Sequence, residues 1–445
     1  MRCTKNVQKS LFCQSADHPI FEEWRQIERA LSLHPEFLEW VHADLTVGLK
    51  SKTSGAKGMT AEQVLRAAIL KQSNGWTYRE LEFQIVASQM TKSFLKLDYD
   101  ESYRTSCLQA NIKRIRSATW EKISCAIVQD AKSLGFESGK LIRMDSTPIE
   151  ANIHRPTDSS LLFDCIRSSN TQFEKLRDKG ILKCYASVKT AQAKSLYTHI
   201  FNAKDEEERE GYYRTLVKLA KRTLDRVHQT LEKLVHLQYL SGSIVSQLQH
   251  LSEITPLIVE QTVRRVFKKE ALDSGDKYFS IFEPHTDIIV KGERDIVYGH
   301  KTFFSVGTSG LVLDTILVQG NPKDSEYFID LLERHEKIFQ RFPRQVVTDG
   351  GFASEENLFA AKDLGIKDVC FSKSMGIEIE EMVKSRWVFE KLRNFRAGIE
   401  SIISCLKRGY GLDRVTWKGV QGFGSYVHST VAAYNLVKLA KLQLE

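Results

Sequence analysis

Three acids, far apart in the chain, stand where metal-dependent chemistry would use them. Asp145 lies in the alternating stretch KLIRMDSTPIEANI (140–153), Asp349 closes the apolar run QVVT (345–348), and Glu400 sits in LRNFRAGIESIISCLKRGYG (392–411). Mg²⁺ prefers carboxylates, waters and phosphate oxygens to a closed protein cage, so acids gathered from distant sequence suit two-metal phosphoryl transfer. Asp349 runs directly into Gly350 and Gly351. Asp-Gly is also a common turn former, so its meaning depends on a partner acid elsewhere. Glu400 has a context of its own. At 100° per residue, Arg393, Arg396 and Lys407 fall within about 40° of it, beside an apolar stripe of Leu392, Phe395, Ile399, Ile403 and Leu406. Mixed charge on a surface helix can serve solubility alone. The functional alternative is an acid that holds metal among cations that hold phosphate oxygens.

Positioning these acids requires strands and a helix in a set order. The stretch after Lys140 alternates as a strand, with Pro148 ending it or placing it at an edge. Strand texture resumes over 277–292, and 301–320 forms a hairpin about Gly307 to Gly310. A helix over 325–340, the strand 344–348, a helix near 355–364, a strand over 366–372 and a helix over 388–408 follow. Residues 159–272 stand apart as helix, with Leu216, Leu219, Leu224, Val227, Leu231, Leu234 and Leu237 at three- to five-residue spacing and a break near 241–243. Without that insertion the order is three strands, helix, strand, helix, strand, helix. This is the order of an RNase H-like α/β domain, a mixed sheet with helices on both faces. Its first and fourth strands are neighbours, so Asp145 and Asp349 are expected to meet at the strand ends, where such sheets open a crevice. Gly350 and Gly351 would then let DNA approach closely.

Ahead of the sheet, Thr60 with Gln63 and Thr77 with Glu80 form two capping boxes, separated by Asn74-Gly75. Helix, turn, helix is the outline of a DNA-reading module and equally of a plain αα-hairpin. The basic segment Lys113, Arg114, Arg116 precedes a further helix. The expected division is an all-α N-terminal, DNA-binding domain over 1–137, a catalytic domain over 138–158 and 273–445, and a helical insertion over 159–272.

Together these residues resemble the DDE transposases of bacterial insertion sequences, in the ISNCY-type and IS4/IS5-like groups. The resemblance rests on MDSTPIEANIHRPTDSSLL, on TDGGF and on Arg396-x3-Glu400-x6-Lys407, in that order; HSTVAAYNLVKLAKL is similar to the family's closing helix. It implies catalysis and metal binding by Asp145, Asp349 and Glu400, with two Mg²⁺ or Mn²⁺ ions per site. The cations around Glu400, which are Arg393, Arg396 and Lys407, are the expected DNA contacts. The partners would be double-stranded DNA at terminal inverted repeats and target sites, handled by a homodimer or larger assembly. The family's tyrosine three residues before the arginine is replaced by Arg393. The insertion follows the first strand, whereas several relatives carry theirs between the second aspartate and the glutamate. A nuclease or resolvase that never joins ends, and an inactive transposase-derived DNA-binding protein, remain the alternatives.

The bulk numbers agree with a DNA-acting protein without demanding one. Lys+Arg number 64 against 56 Asp+Glu, a formal charge of +8. Between Lys384 and Lys418 nine cations face only Glu390, Glu400 and Asp413, so most of the excess is local. The eight cysteines form no C-x-x-C pair, which argues against a zinc site or a disulfide framework and for reduced thiols in the cytoplasm. No secretory leader or long apolar run points to a membrane. Asp158 reads as a helix N-cap, Asp314 as the solvent side of a hairpin strand, and His154 and His300 as structural donors. Glu355 and Glu356 favour a helix dipole, and GFESGKL (135–141) is too short for a phosphate loop.

Overall fold

A computed structural model describes residues 4, 19–49, 58–181, 189–239, 242–291, 295–373 and 375–445. It divides into two compact units, Met1–Asn152 with Gly299–Glu445, and Ile153–Tyr298. The helices expected to form a separate N-terminal domain therefore share a unit with the sheet. The reason lies at the other end of the chain. The helix Gly419–Leu444 is buried along most of its length and packs on the helices Pro19–Leu33, Ala61–Ser73 and Ser117–Ser133. Its buried polar groups find partners on a helix and on the sheet: Gln72 donates to Thr430 at 2.8 Å, and Asn435 closes on both backbone groups of Val312 at 2.7 and 2.9 Å. Buried polar atoms that must be paired make such packing specific.

Before the first strand the described residues form helices only. Both capping boxes are present, on Ala61–Ser73 and Tyr78–Ala87, and Gly75 turns between them with φ +63°.

The strands are β1 (Leu141–Ala151), β2 (Asp287–Lys291), β3 (Asp295–Val306), β4 (Val312–Val318), β5 (Gln345–Thr348), β6 (Asp368–Phe371) and β7 (Arg414–Val415). In the first unit β1 is central, antiparallel to β3 and parallel to β5. β4 pairs antiparallel with β3, β6 pairs parallel with β5, and β7 pairs with the last two residues of β1. Pro148, expected at an edge or an end, lies inside this central strand opposite Lys301. The sheet tolerates it because β5 pairs only with 141–143 and β7 only with 150–151. No partner strand there needs the missing N–H, and the Pro148 carbonyl accepts from Lys407 Nζ at 2.9 Å.

Asp314, expected to face solvent, is 7% exposed and takes both arms of Arg334, at 2.6 and 2.7 Å. A carboxylate in an apolar strand survives burial when a guanidinium satisfies both oxygens.

The second unit holds the helices Asp158–Asp178, Thr190–Asn202, Glu206–His236 and Ser243–Thr262. Leu162, Leu176, Leu216, Leu248 and Ile258 share its core. Its limits, 153–298, are wider than the insertion expected over 159–272. Thr157, not Asp158, caps the first helix. Asp158 is buried and bonded to Arg265 and Gln261. Among the described residues no helix is long and apolar enough to cross a membrane. Cys107, Cys125, Cys165, Cys370 and Cys405 are free thiols, while Cys3, Cys13 and Cys184 lie outside the described residues.

Candidate active site

β1 and β5 run in the same direction with Arg143 opposite Val347. Two residues further on, this register sets Asp145 beside Asp349. Asp145 is 8% exposed, and one of its oxygens accepts from its neighbour's backbone, Ser146 N, at 2.8 Å. Asp349 caps the 3-10 turn Gly350–Phe352 by accepting from Gly351 N at 3.0 Å. Phe352 is fully buried against Phe303 and Phe328, and this anchors the turn that holds Asp349 at the sheet's end.

The glycines of that turn have an intramolecular reason. Neither has a positive φ. A Cβ on Gly350 would stand 2.8 Å from Lys373 Cβ, and one on Gly351 would stand 2.8 Å from Asp324 Oδ2. They make room for the protein's own side chains, whereas the sequence suggested room for DNA.

The helix Arg386–Gly409 lies over the face of β1 that carries Arg143 and Asp145. Arg396 joins two of the candidate acids, donating from Nη2 to Asp145 Oδ2 at 3.0 Å and from Nη1 to Glu400 Oε1 at 2.9 Å. The Glu400 side chain is 66% exposed. Asp145 and Asp349 are thus brought together, and Glu400 stands one guanidinium away. Arg393 is exposed on the same helix, while Lys407 is seated on the Pro148 carbonyl.

Arg143, which carried no role in the sequence reading, locks this helix to β1. It is buried, donates to Phe395 O at 2.8 Å and lies 4.5 Å from the centre of the Phe395 ring. A Cβ at Gly398 would fall 2.1 Å from Arg143 Nη1. With the guanidinium held by ring and carbonyl, it has little room to yield. Gly398→Ala is therefore expected to destabilise the protein by about 1–3 kcal/mol, read by urea denaturation. An unchanged midpoint would show that Arg143 moves freely.

Electrostatics set the acids apart from ordinary surface carboxylates. Burial pushes the Asp145 carboxyl up to about 6; Arg396 opposes the shift, and Asp349 and Asp324 add to it. Asp349 is raised as well, first by burial and then by Asp324, against Gly351 N–H, Arg396 and Lys301. The 3.0 Å ion pair with Arg396 does not prevent the rise, because desolvation outweighs one cation when two acids stand nearby. Asp324 escaped the sequence reading. Its stretch, NPKDSEYF, resembles any loop entering a helix, and no spacing ties it to the other acids.

The donor chemistry suits a hard divalent cation: carboxylate oxygens, from Asp145 within β1 and Asp349 just past the end of β5. At Gly351 a Cβ would fill a space flanked by Asp324 Oδ2 at 2.8 Å and Asp349 Oδ1 at 3.3 Å. Among the described residues no group of three or more His, Cys, Asp or Glu side chains is placed to hold a metal ion. Arg396 and Lys301 hold the acids in its place.

On the N-terminal side, Arg116 pairs with buried Asp44 at 2.7 Å and Arg114 donates to Leu45 O at 2.9 Å. The helix Tyr78–Ala87 exposes Phe83 and Val86.

Comparison with known proteins fits this geometry. Residues 291–436 match the family model of the transposase DDE domain. No curated protein and no solved structure matches the chain. The matched segment contains Asp349, Glu400 and the sheet from β3 to β7, and over this third of the chain the protein is similar to the DDE domain of transposases.

Proposed function

We propose that this protein is an insertion-sequence transposase that cuts DNA at element ends and joins the freed 3′ ends to a target, through Asp145, Asp349 and Glu400. The observation that carries the reading is the pairing of β1 with β5, which sets buried Asp145 beside half-buried Asp349, both with carboxyls that burial raises above the ordinary range. The strand order β4-β3-β1-β5-β6, with β3 antiparallel and β5 and β6 parallel to β1's direction, supports an RNase H-like sheet. Two Mg²⁺ or Mn²⁺ ions, when bound, would supply the Lewis acidity that activates water or a 3′-OH and steadies the leaving oxygen. Asp145 and Asp349 would hold them from the sheet and Glu400 from the helix. Arg396 would exchange its acids for a phosphate oxygen, with Arg393 and Lys407 along the same DNA backbone. The helix Tyr78–Ala87 and the segment 113–116 would contribute to recognition of the inverted repeats. The active form would be a cytoplasmic homodimer or larger assembly on DNA.

The test uses the full chain, a labelled duplex carrying the element's own end, and Mg²⁺ or Mn²⁺. Cleavage followed by joining to a second duplex is the expected result. Cleavage without joining would assign a nuclease, and binding without either reaction an inactive descendant.

A further inference from the structure

The acid nearest the Asp349 turn belongs to none of the sequence motifs. Asp324 opens the 3-10 turn Asp324–Tyr327, after β4. Its Oδ1 accepts from Ser146 Oγ at 2.9 Å and meets Lys301 Nζ at 2.5 Å. The Lys301 and Asp324 side chains are only 12% and 15% exposed. Its Oδ2 lies 2.8 Å, and Asp349 Oδ1 3.3 Å, from the point where a Gly351 Cβ would stand, so the two carboxylates approach each other at this turn. One residue, Ser146, thus ties Asp324 directly to the strand position next to Asp145. Glu400, by contrast, is mostly exposed and is bonded to Arg396.

We propose that Asp324 is a carboxylate of the metal site and that Lys301 holds its place while the site is metal-free. The inference rests on reading Asp145 and Asp349 as metal-binding acids. Three carboxylates gathered in a largely buried cluster repel one another, and an ammonium inside the cluster offsets that repulsion. Lys301 fills this role at a position a divalent cation would otherwise neutralise. It also donates to Pro322 O at 2.8 Å, so it keeps a partner when the cation takes Asp324. Asp324 needs no long movement, because its Oδ2 and Asp349 Oδ1 already approach each other beside Gly351. The consequence is a competition: Lys301 and the cation contend for the same carboxylate.

Mn²⁺ titration of the full-length protein, following the spin-resonance signal of free Mn²⁺, tests both halves. The parent chain should bind and Asp349→Asn should lose that binding. Asp324→Asn should weaken it roughly tenfold or more, and Lys301→Met should tighten it severalfold. Asp324→Asn leaves Lys301 buried without its acid, so the double variant Lys301→Met with Asp324→Asn is measured beside it. That variant removes both charges and should bind as weakly as Asp324→Asn. Parent-like affinity in the double variant, with binding still lost in Asp349→Asn, overturns the role of Asp324 and leaves the metal reading standing. Weaker binding in Lys301→Met overturns the competition. A parent chain that takes up no Mn²⁺ overturns this inference together with the reading beneath it.

Discussion

Asp145→Asn is expected to abolish DNA cleavage while making the metal-free protein harder to unfold at pH 7.5. The first effect follows from the proposed metal-holding role of Asp145 and should be on the order of 10³-fold or more. The second follows from the carboxyl's raised affinity for its proton, up to about 6 from 3.8. Between those values the folded chain holds a proton that the unfolded chain releases. Stability therefore falls as pH rises through that window, and above it ionised Asp145 costs about 1–3 kcal/mol. Asparagine copies the protonated shape, keeps an oxygen for Arg396 and carries no charge toward Asp349 or Asp324. Thermal melts in a chelator at pH 4, 5.5 and 7.5 should show the variant's advantage growing with pH and nearly vanishing at pH 4. A variant that melts at or below the parent temperature at pH 7.5 would mean that the ion pair with Arg396, not burial, governs this acid.

A site expected to gain stability on losing its own acid is one whose arrangement serves something other than stability. The same logic explains which parts of the protein were legible in its sequence. The capping boxes at Thr60 and Thr77 are local: three residues decide them, and they form as the sequence indicates. The strand carrying Asp145 and the helix carrying Glu400 were legible from periodicity. Pro148 was misread because its tolerance depends on a gap between two partner strands, which no window of sequence reveals. Asp314 was misread for a related reason, since its partner Arg334 lies twenty residues on, across the sheet's face. Asp324 shows the limit most clearly. Nothing near it marks chemistry; its meaning comes from Ser146, Lys301 and Gly351, on two strands and a turn converging from 146 to 351. The N-terminal helices looked separable because their partner, the helix Gly419–Leu444, is the last in the chain.

Glu400→Gln separates chemistry from binding on the helix Arg386–Gly409. The substitution keeps size and helix propensity and touches an exposed side chain with one ion pair, so stability should change by no more than about 0.5 kcal/mol. Arg396 keeps Asp145 through Nη2 when it loses Glu400 from Nη1, so the buried acid keeps its surroundings. Cleavage and joining should nonetheless fall on the order of 10³-fold, because a carboxamide is a poor ligand for Mg²⁺. DNA binding should survive or tighten, since the change removes a negative charge beside Arg393 and Arg396. Paired gel-shift and cleavage assays decide the matter. If Glu400→Gln cuts at near the parent rate with Mg²⁺, Glu400 serves only to balance Arg396. The third carboxylate of the site must then come from the sheet side, where Asp324 already stands beside Asp349.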